Sequence, residues 1–100
     1  MTPSQRQERM AARRHNGNVT PGSGNQWMIK GDVRTATELI ECKTTSHNSY
    51  TLKLVDLKTI EVHALSDGRR PIFEVEFQGQ GSYVVLPASD YHEMKRSIGE

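Results

Sequence analysis

Asp32, Glu41 and Lys43 are the residues of this chain whose types and spacing could do chemistry. They lie in KGDVRTATELIECKTT, residues 30–45. Side chains two apart on a strand share a face, so Glu41 and Lys43 project together while Ile40 and Cys42 go to the other side. If the strand that follows Gly31 pairs with this one, Asp32 lies beside Glu41. Two close carboxylates repel unless a cation sits between them. Carboxylates, a backbone carbonyl and water suit Mg²⁺. A lysine beside such a metal can polarise an attacking water or stabilise charge building on a phosphate. Phosphodiester hydrolysis needs these parts. Taken alone, Glu-x-Lys has a plainer reading, an exposed strand face with a Glu–Lys pair. The context favours more: Gly31 precedes the acid, LIEC embeds Glu41 in an apolar strand, a Gly-rich loop lies before it and a helix follows.

The elements that must hold these residues read as α+β or α/β. Ser4 with Gln7 fits a capping box for a helix running to His15, where Asn16-Gly17 stops it. The apolar face of that helix is thin: Met10, Ala11 and Ala12. Residues 16–25, NGNVTPGSGN, read as a polar loop. Lys30–Thr35 and Leu39–Thr44 read as two strands joined by a turn near Ala36-Thr37, and Tyr50–Leu54 as a short extended piece. From about Val55 the spacing is helical, with Leu57, Ile60, Ala64 and Leu65 as one apolar stripe ended by Asp67-Gly68. Pro71–Phe77 alternates, with Phe73, Val75 and Phe77 inward and Glu74 and Glu76 outward, as in a half-buried strand. QGQG turns the chain into a strand at Tyr83–Leu86, and Ser89 reads as the cap of a C-terminal helix through Asp90 and Glu93. The order α-β-β-(β)-α-β-β-α predicts one mixed sheet of four to five strands flanked by helices.

One hundred residues suit one domain with a small core, for which pairing with a second copy would add buried surface. We divide it into a basic arm and Gly-rich loop (1–25) and a core (26–100). No apolar run could span a membrane, and MTPSQRQERM lacks the apolar centre of a secretory signal. Cys42 is the lone cysteine, so no intrachain disulfide forms. These features fit a cytoplasmic protein, in the host cytoplasm if the source is viral. The net charge of +1 hides an asymmetry. Residues 1–31 carry five basic groups (Arg6, Arg9, Arg13, Arg14, Lys30) against Glu8, a net of +4, and the rest carries eight basic and eleven acidic groups, a net of −3. A basic arm on an acidic body suits a polyanion such as nucleic acid, or else a solvated helix face.

Asp32, the triplet Glu41-Cys42-Lys43 and the following helix resemble the PD-(D/E)XK nuclease superfamily. With Glu8 in an N-terminal helix, PGSGN at 21–25, KGDV at 30–33 and IECK at 40–43, the chain looks most like small Holliday junction resolvases of archaeal and phage type. Gly31 stands where the motif has proline. The resemblance covers about residues 4–86 and implies a restriction-endonuclease-like core. Asp32 and Glu41 would ligate Mg²⁺, for which Mn²⁺ may stand in, with the Cys42 carbonyl as a further ligand. Lys43 would orient water, Glu8 would complete the site, and Ser23 would lie near the scissile phosphate. Gly22 and Gly24 would let backbone N–H groups approach a phosphate. Arg6, Arg9, Arg13, Lys30, Arg34 and Thr45 are the further DNA-binding candidates.

Other candidates have simpler readings. His15, His47, His63 and His92 show no metal spacing with one another or with Cys42. Cys42 reads as a small core residue. Trp27 suits a core anchor or a base-stacking ring. Thr44, Ser46 and Ser49 suit an ordinary polar loop or phosphate contacts. The expectation is a Mg²⁺-dependent endodeoxyribonuclease acting on branched DNA as a homodimer, since resolving a junction takes two symmetric nicks. Its rivals are a nickase or restriction-like enzyme on duplex DNA and a non-catalytic nucleic-acid-binding module.

Overall fold

The computed structural model describes residues 1–20 and 32–100. Its elements are α1 (Pro3–Arg14), β1 (Asn18–Val19), β2 (Val33–Arg34), β3 (Glu38–Thr45), α2 (Leu54–Ser66), β4 (Arg70–Phe77), β5 (Gly81–Val85) and α3 (Ala88–Ser97). The protein is α+β. Among the described residues, five strands form one mixed sheet in the order β1-β2-β3-β4-β5. β1, β2 and β3 pair antiparallel, β3 and β4 pair parallel, and β4 and β5 pair antiparallel. A parallel pair needs a crossover, and α2 supplies it between β3 and β4.

Two apolar layers hold the sheet. Ala11 and Ala12 of α1 pack on Val33, Ile40, Cys42 and Ile72. Ile60 and Ala64 of α2 pack on Leu39, Phe73 and Val75. The period of two along β3 and β4 sorts residues between these layers. α1 needs no large apolar face because its alanines let the helix backbone lie close to the strands. Met10 is left exposed. At the end of α1, Asn16 adopts φ 55°, and the Gly17 N–H donates to the Ala12 carbonyl at 2.7 Å. This is the Schellman closure that Asn16-Gly17 predicts. Gly17 also admits a close approach: a Cβ there would lie 2.5 Å from the Arg34 carbonyl oxygen on β2.

Several local expectations need correction. The capping box at α1 is Thr2 with Gln5, one turn's edge earlier than Ser4 with Gln7, because Pro3 occupies the first turn where its missing N–H costs nothing. The predicted loop 16–25 contains β1. Tyr50–Leu54 forms no strand, and Leu54 already begins α2. Leu65 falls off the apolar stripe and is 74% exposed, because residue 65 has rotated past the sheet. Ser89 lies inside α3, whose N-cap is Pro87 with no side-chain cap bond. The last strand is Gly81–Val85 and excludes Leu86. The alternation in β4 is right in its parity and wrong in its exposure: α1 covers the second face as well, so Glu74 is buried.

Candidate active site

The antiparallel register pairs Val33 with Ile40 and Arg34 with Leu39. Asp32 lies one residue before β2, just past the end of this pairing. The Asp32 N–H donates to the Ile40 carbonyl at 2.7 Å. Asp32 Oδ2 accepts the Cys42 N–H at 2.8 Å. The acid is therefore tied at backbone and side chain to the strand that carries Glu41 and Lys43. On β3, Lys43 Nζ lies 3.6 Å from Glu41 Oε2, and both side chains are part-exposed. Leu39 packs in the α2 layer, so Glu41 and Lys43, two and four residues on, project to that same side.

Cys42 projects the other way, into the α1 layer. Burial pushes its thiol well above the usual range, and Asp32, Glu74, Glu8 and Glu41 push it further. From α1, the charge of Glu8 thus bears on Cys42 together with those of Asp32 and Glu41. A thiol so raised stays protonated and unreactive through mildly alkaline pH. Accordingly, iodoacetamide at pH 8 should leave Cys42 unmodified in the folded protein and label it fully in denaturant. Equal labelling in both states would contradict the burial.

Three residues without a sequence signature shape this region. Gln7 is 1% exposed, and its Nε2 donates to the Lys43 carbonyl at 2.6 Å and to the Glu74 carbonyl at 3.4 Å. It pins α1 to β3 at the position of the candidate lysine. The signal available was its spacing from Ala11 and Arg14, which places it on the sheet-facing stripe. Glu74 accepts from Arg14 Nη2 at 2.5 Å and lies 2.8 Å from His15 Nε2. This latch joins the end of α1 to β4. Tyr50 packs in the α2 layer, with its ring 6.2 Å from that of Phe73. Burial raises its phenol, the Lys43 charge lowers it, and Asp56 and Glu41 raise it. Its hydroxyl thus lies in the field of the candidate pair.

The remaining candidates are placed as follows. Arg6, Arg9 and Arg13 form an exposed stripe on α1, directly opposite the stripe that meets the sheet. They therefore lie on the layer away from Glu41 and Lys43. Arg34 Nη2 lies 3.4 Å from Asp67 Oδ2 at the end of α2. Thr45 ends β3, its hydroxyl accepting the His47 N–H at 3.0 Å and its carbonyl the Gln78 N–H at 2.9 Å. Ser23, Gly22, Gly24, Trp27 and Lys30 lie outside the described residues. His15 serves the latch to Glu74.

Among the described residues, no group of three or more His, Cys, Asp or Glu side chains is arranged to hold a metal ion. Two carboxylates suffice for Mg²⁺, which keeps several waters. No helix among the described residues is long and apolar enough to cross a membrane. Compared with family models, curated proteins and solved structures, the chain has no significant match.

Proposed function

We propose that the chain is a Mg²⁺-dependent endodeoxyribonuclease of the PD-(D/E)XK kind that cleaves branched DNA, such as a four-way junction, as a homodimer. The observation that carries this reading is that Asp32 is bonded to the Ile40 carbonyl and the Cys42 N–H on the strand that bears Glu41 and Lys43, with Lys43 3.6 Å from Glu41 on the same side of that strand. Asp32 and Glu41 would hold the metal, which supplies a polarised water and a counter-charge for the phosphate. Lys43 orients that water or meets the charge that develops on the phosphate oxygens. Gln7 holds the Lys43 backbone in place through its carbonyl. Glu8, on α1, is the further acid that would complete the site. The restriction-endonuclease-like core is supported by the order of elements. An antiparallel β1-β2-β3 unit carries the acids, and α2 then crosses to a parallel β4.

The homodimer reading draws on the free side of the sheet. β5 is an edge strand, and Val84 on it is exposed, as are Tyr91 and Met94 of α3 and Ile98 just after it. α3 has no buried residue, and a ten-residue helix is marginal without packing. A two-fold partner would also supply the second nick.

One observation favours a non-catalytic nucleic-acid-binding module instead. Lys43 already pairs with Glu41, as an ordinary strand-face ion pair would. Incubation with Mg²⁺ on a four-way junction and on matched linear duplex separates the readings. Cleavage of the junction alone supports the proposal, and cleavage of both moves it to a duplex endonuclease. Binding with no cleavage of either leaves the binding module.

Metal linkage is a second test. Mg²⁺ at a hundred times its dissociation constant should stabilise the wild-type fold by about 2.7 kcal/mol. Asp32→Asn removes one anionic ligand, while its amide oxygen can still accept the Cys42 N–H. That variant should be at least as stable as wild type in a chelator and gain much less from Mg²⁺. Thermal melts of both proteins report this, and an equal Mg²⁺ gain would take Asp32 out of the site.

A further inference from the structure

The sheet face that carries Lys43 continues across β4 to β5. Lys43 pairs with Val75, and Val75 pairs with Tyr83. The three residues therefore form one row on one face. Neighbouring strands lie about 5 Å apart, so Tyr83 is about 10 Å from Lys43 along that row. Tyr83 is 63% exposed on the edge strand. Its ring meets that of Phe77 edge-on, with centroids 5.9 Å apart and planes at 76°. It borders a groove of about 520 Å³ where the end of β3 meets the β4–β5 turn. Phe77, His47, Asn48, Gln78 and Gln80 line the rest.

We propose that this groove binds one unpaired nucleobase, with Tyr83 as its stacking platform and the surrounding amide and imidazole groups reading the base edge. The proposal rests on the nuclease reading for its position beside Lys43, and it adds the substrate feature recognised there. An exposed tyrosine on an edge strand is ordinary by itself. Here the ring is braced by Phe77, and side chains that both donate and accept surround it. Base edges present donors and acceptors together, and aromatic faces stack any base.

The rim is fixed by its own bonds. The His47 N–H donates to Thr45 Oγ1 at 3.0 Å, and the Gln78 N–H to the Thr45 carbonyl at 2.9 Å. Gln78 Nε2 donates to Thr44 Oγ1 at 3.2 Å, which orients that amide. The Gln80 N–H donates to the Phe77 carbonyl at 2.8 Å and closes the turn. A groove ordered in this way needs little rearrangement to receive a flat ligand. Its place in the Lys43 row suits a nucleotide next to a phosphate held at Lys43. Branched DNA offers unpaired or readily unpaired bases at its branch, whereas linear duplex keeps its bases stacked inside.

The test uses the full chain in a chelator, so that no cleavage occurs. The probe is a DNA duplex with a single unpaired 2-aminopurine, compared with the same duplex fully paired. Wild type and Tyr83→Phe should quench the probe and bind the unpaired form about tenfold more tightly than the paired one, as stacking of one base implies. Tyr83→Ala should lose both the quenching and the preference while binding paired duplex within about twofold of wild type. If Tyr83→Ala weakens β5, Tyr83→Ile suits an edge strand and should show the same loss. Retained quenching and preference in the alanine and isoleucine variants would overturn the proposal. Mg²⁺-dependent cleavage by a wild type that shows no quenching would overturn this site and leave the nuclease reading standing. Quenching without any Mg²⁺-dependent cleavage would keep the base site and overturn the nuclease reading.

Discussion

Lys43→Ala or Glu41→Gln should lower Mg²⁺-dependent cleavage of a four-way junction by at least about a hundredfold, the scale on which removing one transition-state charge contact acts. Affinity for the junction should stay within a few-fold. The reason is geometric. Both side chains are part-exposed and meet each other at 3.6 Å, so neither is a core element whose loss unfolds the sheet. The Gln7 bond goes to the Lys43 backbone carbonyl, which truncation of the side chain leaves in place. Glu41→Gln keeps shape and removes charge, so the loss reads the carboxylate both as the proposed metal ligand and as the partner of Lys43. Single-turnover cleavage and a binding titration in Ca²⁺ give the two halves of the measurement. Cleavage within a few-fold of wild type by either variant removes that residue from the chemistry and advances the binding-module reading.

The largest stability effect should come from stripping Arg14 and His15 from Glu74. Its side chain is 2% exposed, and Arg14 and His15 meet its two oxygens at 2.5 and 2.8 Å. Removing both partners in Arg14→Ala/His15→Ala leaves a buried carboxylate without a counter-charge, which costs about 3 kcal/mol. Either single change should cost about 1 kcal/mol, because one partner remains and the Arg14 side chain is nearly half exposed to screening water. Adding Glu74→Gln to the double variant removes the orphaned charge and should restore most of the loss. Urea denaturation of wild type and these four variants measures this. A double variant within about 0.5 kcal/mol of wild type, the range of ordinary surface changes, would mean the latch does not hold α1. The latch also bears on the candidate site, because α1 carries Gln7, which fixes β3, and Glu8.

Much of this architecture was legible in the sequence. The period-two patterns at 39–44 and 71–77 and the helical stripe at 57, 60 and 64 needed only local geometry, and so did the stop at Asn16-Gly17. The shared projection of Glu41 and Lys43 followed from strand parity alone. Tertiary structure decided what those patterns face. Glu74 reads as a solvent-facing acid because a polar residue in an alternating strand usually faces water. Only the packing of α1 on that face turns it into a buried anchor for Arg14 and His15. Gln7 reads as a capping partner because capping is a local bond. Its contacts with the Lys43 and Glu74 carbonyls span 36 and 67 residues and leave no local trace. β1 is too short to show a period, and it exists only because β2 offers an edge beside it. The neighbourhood of Asp32 and Glu41 depends on the pairing register of two strands. A one-residue slip would send one of them to the opposite face. The residue types and their parity were therefore set locally, while the placing of Glu41, Lys43 and Tyr50 on the α2 side of the sheet was decided by long-range pairing and by the helices that cover the sheet.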